Sequence, residues 1–276
     1  MRAIKQPVLA VSILLLTTGL AACSTAPAAN PGTTPPAAPS TPTAQTAAKA
    51  HWGYEGKEGP EHWGALSPEY ALCSTGKAQT PIDLAPAKTE DAPDVEFSYQ
   101  GVPLKVLNNG HTVQVPTEGA GDITVAGRTY SLAQFHFHTP SEHTVDGATL
   151  AGELHLVHQH ADKSLAVVGV LLKEGAENAA FTAITGNLPA EADQTNAPAG
   201  VTVDPLTLLP TERTTFQYTG SLTTPPCSEG VSWFVMTTPV ELSSDQLSAL
   251  EKVMGHNNRP VQPVNERELV QDTVAG

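Results

Sequence analysis

Two stretches, Gln134-Phe135-His136-Phe137-His138 and Glu153-Leu154-His155-Leu156-Val157-His158, alternate polar and apolar residues. A period of two belongs to β-strands, whose successive side chains point to opposite faces. In the first stretch Gln134, His136 and His138 share one side, and Phe135 and Phe137 share the other. In the second, Leu154 and Leu156 face one way and Glu153, His155 and Val157 the other. The polar side of the first stretch carries no Lys or Glu, as a solvated face usually does, so it lines a cavity. Asp146-Gly147 is a turn signal that lets the second strand return antiparallel beside the first. With both apolar sides on the core, His136, His138 and His155 converge. Three imidazoles leave one position of a tetrahedral site open, which marks a catalytic rather than a structural zinc. Gln134 and Glu153 each stand two residues before a histidine on the same face, placed to accept a ring N–H and fix its tautomer. A lone His-x-His is more often a pair of satisfied polar residues. The third histidine and the matched carboxamide and carboxylate turn the reading toward metal.

The rest of the chain is mainly β. Short strand signals separated by Gly, Pro and Asn fall at 104–108, 111–115, 123–125, 128–138, 153–160, 165–173, 215–219 and 231–237. One helix is marked by a capping box, Ser243 with Gln246, by Leu247, Leu250 and Met254 on one face, and by Gly255 at its end. A shorter helix is expected near 177–184. No repeat and no internal boundary interrupts the region, which reads as a single domain over 51–276.

The N-terminus reads differently. Arg2 and Lys5 precede an apolar run from Val8 to Leu20, the layout of a secretory signal and too short to span a bilayer. It ends in Leu20-Ala21-Ala22-Cys23, which resembles the lipobox of bacterial lipoproteins. Residues 1–22 are then a signal peptide, and Cys23 takes lipid and anchors the protein to a membrane of the cell envelope. Cleavage at an Ala-x-Ala-like site with Cys23 left as a thiol is the alternative. Residues 24–50, rich in Pro, Ala and Thr with Lys49 the one charge, form a linker that cannot bury enough apolar area to fold. The formal charge of −14 excludes nucleic acid as a partner, since phosphate binding needs clustered Lys and Arg. With Cys23 lipidated, Cys73 and Cys227 remain as a pair in an oxidising compartment. A disulfide is the default there, with two buried free thiols the other reading.

Taken in order, His51-Trp52-Gly53-Tyr54, Pro60-Glu61-His62-Trp63-Gly64, Gln79-Thr80-Pro81-Ile82, Asn109-Gly110-His111, Phe135-His136-Phe137-His138, Ser141-Glu142-His143, Glu153-Leu154-His155-Leu156-Val157-His158, Gly220-Ser221-Leu222-Thr223-Thr224-Pro225-Pro226 and Asn258-Arg259-Pro260 make 51–276 similar to the α-class carbonic anhydrases in their bacterial form. The resemblance implies that family's fold, a large twisted, mostly antiparallel central sheet with short peripheral helices. It implies Zn²⁺ on His136, His138 and His155, and zinc-bound hydroxide that attacks CO₂ to give bicarbonate. Thr223 accepts the hydroxide's hydrogen and donates its own to Glu142. Val157, Val167, Leu222, Thr224, Val231 and Trp233 form the substrate pocket; Val157 faces the site by alternation as well. His111 matches the proton shuttle, and Tyr54 and Gln114 the residues that organise the connecting water. Cys73 and Cys227 sit where exported members place a disulfide. Inhibition by sulfonamides and inorganic anions is expected, and dimerisation is left open. His143 and His158 match buried hydrogen-bonded positions. Thr139 departs from the tryptophan of animal members, a change expected to affect the rim of the active site.

Two other functions fit part of the pattern. His136-x-His138-x-x-x-Glu142 matches the centre of the first cupin metal motif, but Tyr130 stands where that motif needs glycine, and no second motif follows. A non-catalytic envelope protein of the same fold, binding zinc or another ligand, is the second; members of that kind have lost zinc histidines, and all three are here.

Overall fold

The structure, a computed structural model, describes residues 50–273. The predicted signal peptide, Cys23 and all of the linker but residue 50 lie outside the described residues. Within them the alternating segments form the strands Arg128–His138 and Gly152–Gln159, which pair antiparallel with His136 opposite His155 and Glu153 opposite His138. Asp146 and Gly147 both have positive φ, at 49° and 74°, the conformation Asp-Gly favours in a tight hairpin turn. That turn closes a small hairpin of its own, Thr144–Val145 against Ala148–Thr149, inside the longer connection.

These two strands are the centre of a thirteen-stranded mixed sheet. Beyond Gly152–Gln159 the order continues through Leu165–Glu174, Glu229–Met236, Thr215–Ser221, Val270–Asp272 and Lys88–Glu90; beyond Arg128–His138 it continues through Val113–Pro116, Val106–Asn108 and Thr195–Asn196. Most pairings are antiparallel. Leu165–Glu174 runs parallel to Glu229–Met236 and to Val240–Leu242, and Lys88–Glu90 runs parallel to Val270–Asp272.

Both faces of the sheet are apolar, but not in the same way. On one face Phe135, Phe137, Leu154, Leu156, Val168 and Val170 pack under the helices Ala179–Thr185 and Ser244–Met254. Full burial of such side chains contributes roughly 1.5–3 kcal/mol each, and this is what locks the strand register and commits the histidines to the other side. The capping box of Ser243 and Gln246 is present, and Gly255 ends the helix at φ 65°. On the ligand face, Val167, Leu171, Val231, Trp233 and Val235 form a second cluster with Val157 and Leu222 at its margin. A third cluster, Trp63, Tyr70, Cys73 and Cys227, gathers Trp52 and Tyr54 from the start of the described chain. Cys73 and Cys227 are joined in a disulfide. Among the described residues no helix is long and apolar enough to cross a membrane.

Candidate metal centre and active site

His136, His138 and His155 each bring one ring nitrogen to a common point, the three atoms lying within 4.8 Å of one another. The other nitrogen of each ring is already committed. His136 Nδ1 donates to Gln134 Oε1 at 2.9 Å, His138 Nδ1 to the Asn257 carbonyl at 2.8 Å, and His155 Nε2 to Glu153 Oε1 at 2.9 Å. An amide oxygen, a carbonyl and a carboxylate can only accept, so the committed nitrogens carry the protons. The lone pairs left to converge are His136 Nε2, His138 Nε2 and His155 Nδ1. Burial lowers the pKa of all three rings, to about 4 for His138, and a neutral imidazole is the form that ligates a metal. His138 Nε2 is buried with no hydrogen-bond partner, a costly arrangement unless a cation uses it. The donor set therefore fits a single metal ion.

Glu153 holds one side of the centre. Its Oε1 accepts from His155 Nε2 and, at 2.7 Å, from His143 Nδ1, while Oε2 accepts the backbone N–H groups of Glu142 and His143 at 3.0 and 2.9 Å. Burial alone would raise its pKa, but His143 and His155 hold the carboxylate well below the usual range. His143 Nε2 meets the Tyr218 hydroxyl at 2.6 Å. With every donor in that group spent, His143, Glu153 and His155 make a support for the metal site rather than a second one.

Glu142 is fully buried, and desolvation pushes it up to about 7 against the opposing pull of His155, the Arg259 amide and the Thr223 hydroxyl. Its Oε1 accepts from Arg259 N at 2.9 Å. Its Oε2 lies 3.5 Å from His138 Nε2 and has no fully formed hydrogen bond. Thr223 is buried beside it at the end of the Thr215–Ser221 strand.

The apolar wall follows from register. Val157 pairs with Val167, and Val167 with Trp233, so the three stand side by side on the ligand face, with Val231 and Leu222 in the same cluster. The Trp233 ring is 4.9 Å from the His155 ring. Thr224 lies in the following turn, where its carbonyl accepts from Cys227 N at 2.9 Å.

His111 is half-buried and stacked on Trp52, ring centroids 3.8 Å apart and planes 7° from parallel. Partial burial lowers its pKa first, then the neighbouring His51, with Asp193 opposing. Gln114 pairs with His136 in the ladder and accepts from Asn109 Nδ2 at 3.2 Å. Tyr54 packs edge-on against Trp52 and Trp63. Burial raises its hydroxyl well above the ordinary tyrosine value, with the Glu142 charge adding to the effect. His158 is buried as expected, bonded to the Tyr99 hydroxyl and the Ala166 carbonyl.

One expectation fails. Thr139 follows His138 and so points to the opposite face, away from the rim; it is buried, and its hydroxyl donates to the Gly255 carbonyl at 2.8 Å. It lines a cavity of about 220 Å³ beside the C-terminal helix. Three contributors escape sequence reasoning: the Asn257 carbonyl on His138, the Arg259 amide on Glu142, and Trp52 under His111.

A sheet that carries three neutral imidazoles, each held by its own acceptor and roofed on one side by apolar side chains, defines a three-histidine metalloenzyme. Residues 58–273 match the family model described as eukaryotic-type carbonic anhydrase. A carbonic anhydrase of Klebsiella pneumoniae is 46% identical over 226 residues, covering 80% of this chain and 91% of its own. The α-carbonic anhydrase of Thermovibrio ammonificans, solved with the inhibitor sulfanilamide, superposes with a TM-score of 0.76 at 46% identity over 81% of this chain and 100% of its own. Dioscorin complexed with ascorbate superposes with a TM-score of 0.74 at 31% identity, over 80% of this chain and 97% of its own. The chain belongs to the α-type carbonic anhydrase family.

Proposed function

We propose that the protein hydrates CO₂ reversibly to bicarbonate and a proton, with Zn²⁺ held by His136 Nε2, His138 Nε2 and His155 Nδ1. The observation that carries this is the convergence of three tautomer-fixed, neutral imidazoles beside the Val157–Val167–Trp233 wall. When bound, zinc supplies a Lewis acid that lowers the pKa of water to about 7, carbonic anhydrase being the standard case of a three-histidine site.

The remaining work falls to the chain's own groups. The Thr223 hydroxyl has one hydrogen to give. Donated to the Glu142 carboxylate, it leaves only lone pairs facing the site, so the attacking water must present its hydrogen to Thr223 and its own lone pair to the substrate. CO₂ is small and apolar, and the wall of Val157, Val167, Leu222, Val231 and Trp233, with Thr224 at its edge, holds it by exclusion of water rather than by hydrogen bonds. His111 carries the proton out. A ring lowered from its ordinary pKa gives its proton readily to buffer near neutrality. Tyr54 and Gln114 order the water between.

Stopped-flow CO₂ hydration tests this. Turnover inhibited by sulfanilamide, the ligand of the Thermovibrio relative, is the expected result, and Thr223→Val should lower kcat/KM by about 10²-fold. A metal-loaded protein that hydrates no CO₂ favours the non-catalytic binding reading. We also propose export and anchoring through lipid on Cys23 to a cell-envelope membrane, a reading supported by the disulfide, which persists in oxidising compartments. Mass spectrometry of the native N-terminus checks it.

A further inference from the structure

The segment Gln79-Thr80-Pro81-Ile82 has no part in the chemistry described so far, yet Thr80 is completely buried and every polar group it has is engaged at the site's edge. Its Oγ1 accepts from Ser221 N at 2.9 Å and shares a hydrogen bond with the Tyr218 hydroxyl at 3.2 Å. Its N–H donates to Ser221 Oγ at 3.0 Å, and its carbonyl accepts from Arg259 Nη1 at 2.8 Å.

Each partner leads to a member of the Thr223–Glu142 pair. Ser221 is two residues before Thr223, at the point where the ladder between Thr215–Ser221 and Glu229–Met236 slips, Gly220 pairing with Val231 and Ser221 with Glu229. A bulge of this kind takes an amide out of regular pairing, and Thr80 Oγ1 receives the Ser221 amide. Space for that hydroxyl has been made in the strand itself, because a Cβ at Gly220 would stand 2.1 Å from Thr80 Oγ1. On the other side, the Arg259 guanidinium forms no ion pair among the described residues and gives its donors to the carbonyls of Thr80 and, at 2.9 Å, Cys73. The backbone N–H of the same residue holds Glu142 Oε1. One buried threonine therefore braces the strand end that carries Thr223 and the arginine whose amide fixes Glu142.

We infer that Thr80 is a positioning residue for the Thr223–Glu142 pair, acting through Ser221 on one side and Arg259 on the other. The inference rests on the proposed roles of Thr223 and Glu142.

The test combines Thr80→Val, which keeps the shape and removes the hydroxyl, with Thr80→Ser, which keeps the hydroxyl. In zinc-loaded and metal-free protein alike, Thr80→Val should exchange the Ser221 amide at least tenfold faster by NMR, and Thr80→Ser should not. In the loaded enzyme, kcat/KM should fall about tenfold for Thr80→Val with zinc content unchanged, no rescue by imidazole, and recovery in Thr80→Ser. The double variant Thr80→Val/Thr223→Val should be no slower than Thr223→Val alone, because residues that act as a unit are not additive. Thr80→Ala carries the same expectations should the valine variant not fold. Unchanged Ser221 exchange, full kcat/KM in Thr80→Val, or additive losses in the double variant would each overturn the inference. Full activity in Thr223→Val alone would instead remove the reading on which it rests.

Discussion

Replacing Glu153 by Gln changes one atom and disturbs four hydrogen bonds. The carboxylate is acceptor-only and receives two N–H groups on each oxygen, from His155 and His143 on Oε1 and from the backbone of Glu142 and His143 on Oε2. An amide offers one oxygen and one NH₂, so in either orientation the NH₂ faces two donors. Turned toward the imidazoles, it is relieved only if His155 moves its proton to Nδ1, and that consumes the lone pair required for zinc. Turned the other way, it opposes two backbone amides. Supports of metal-bound histidines typically contribute 10–100-fold in affinity, which corresponds to about 1.4–2.7 kcal/mol, and each buried donor left unpaired costs about 1–3 kcal/mol in stability. Competition against a chromophoric chelator at fixed pH should therefore show Glu153→Gln binding zinc 10–100-fold more weakly. Urea unfolding of the metal-free protein should show a loss of at least 1 kcal/mol on the same basis. A dissociation constant within twofold of the parent's would refute the tautomer argument.

Other expectations concern separate parts of the molecule. His111→Ala should lower turnover on the order of 10²-fold at low buffer and recover with added imidazole; a variant unaffected in both conditions removes the shuttle role. His158, lowered by burial to about 3, is near 6.5 when unfolded. A depressed base contributes fully above 6.5 and loses that contribution as pH falls toward 3, amounting to about 2 kcal/mol by pH 5. Urea unfolding of zinc-loaded protein at pH 7.5 and 5 should thus show a drop smaller by that amount in His158→Gln; equal drops contradict it. The disulfide closes 154 residues, for which chain entropy sets a contribution of about 5 kcal/mol. Cys73→Ala/Cys227→Ala should lose 2–5 kcal/mol in urea on that basis, and an unchanged midpoint would refute it.

The centre of the fold was legible because a period of two encodes the face directly. Phe135 and Phe137 buried on one side leave His136 and His138 nowhere else to point, and Leu154 and Leu156 do the same for His155. The Ser243–Gln246 cap was legible because it is a side-chain device. What was not legible is carried by main chain. The Asn257 carbonyl and the Arg259 amide are groups every residue owns, so residue type gives no sign that one orients His138 and the other Glu142. The parallel partners of Leu165–Glu174 come from residues more than sixty positions away, and nothing local announces them. Very short strands such as Thr195–Asn196 are held by the sheet, not by their own pattern. Thr139 was misplaced by following the resemblance where the alternation already gave its face.

The central claim is that one zinc ion on His136, His138 and His155 makes this sheet hydrate CO₂. Zinc titrated back into chelated protein, with stopped-flow hydration read at each addition, tests it most directly. Turnover should rise in proportion to zinc and level off at one equivalent per chain. Hydration that survives chelation, or that keeps rising past one equivalent, would contradict it.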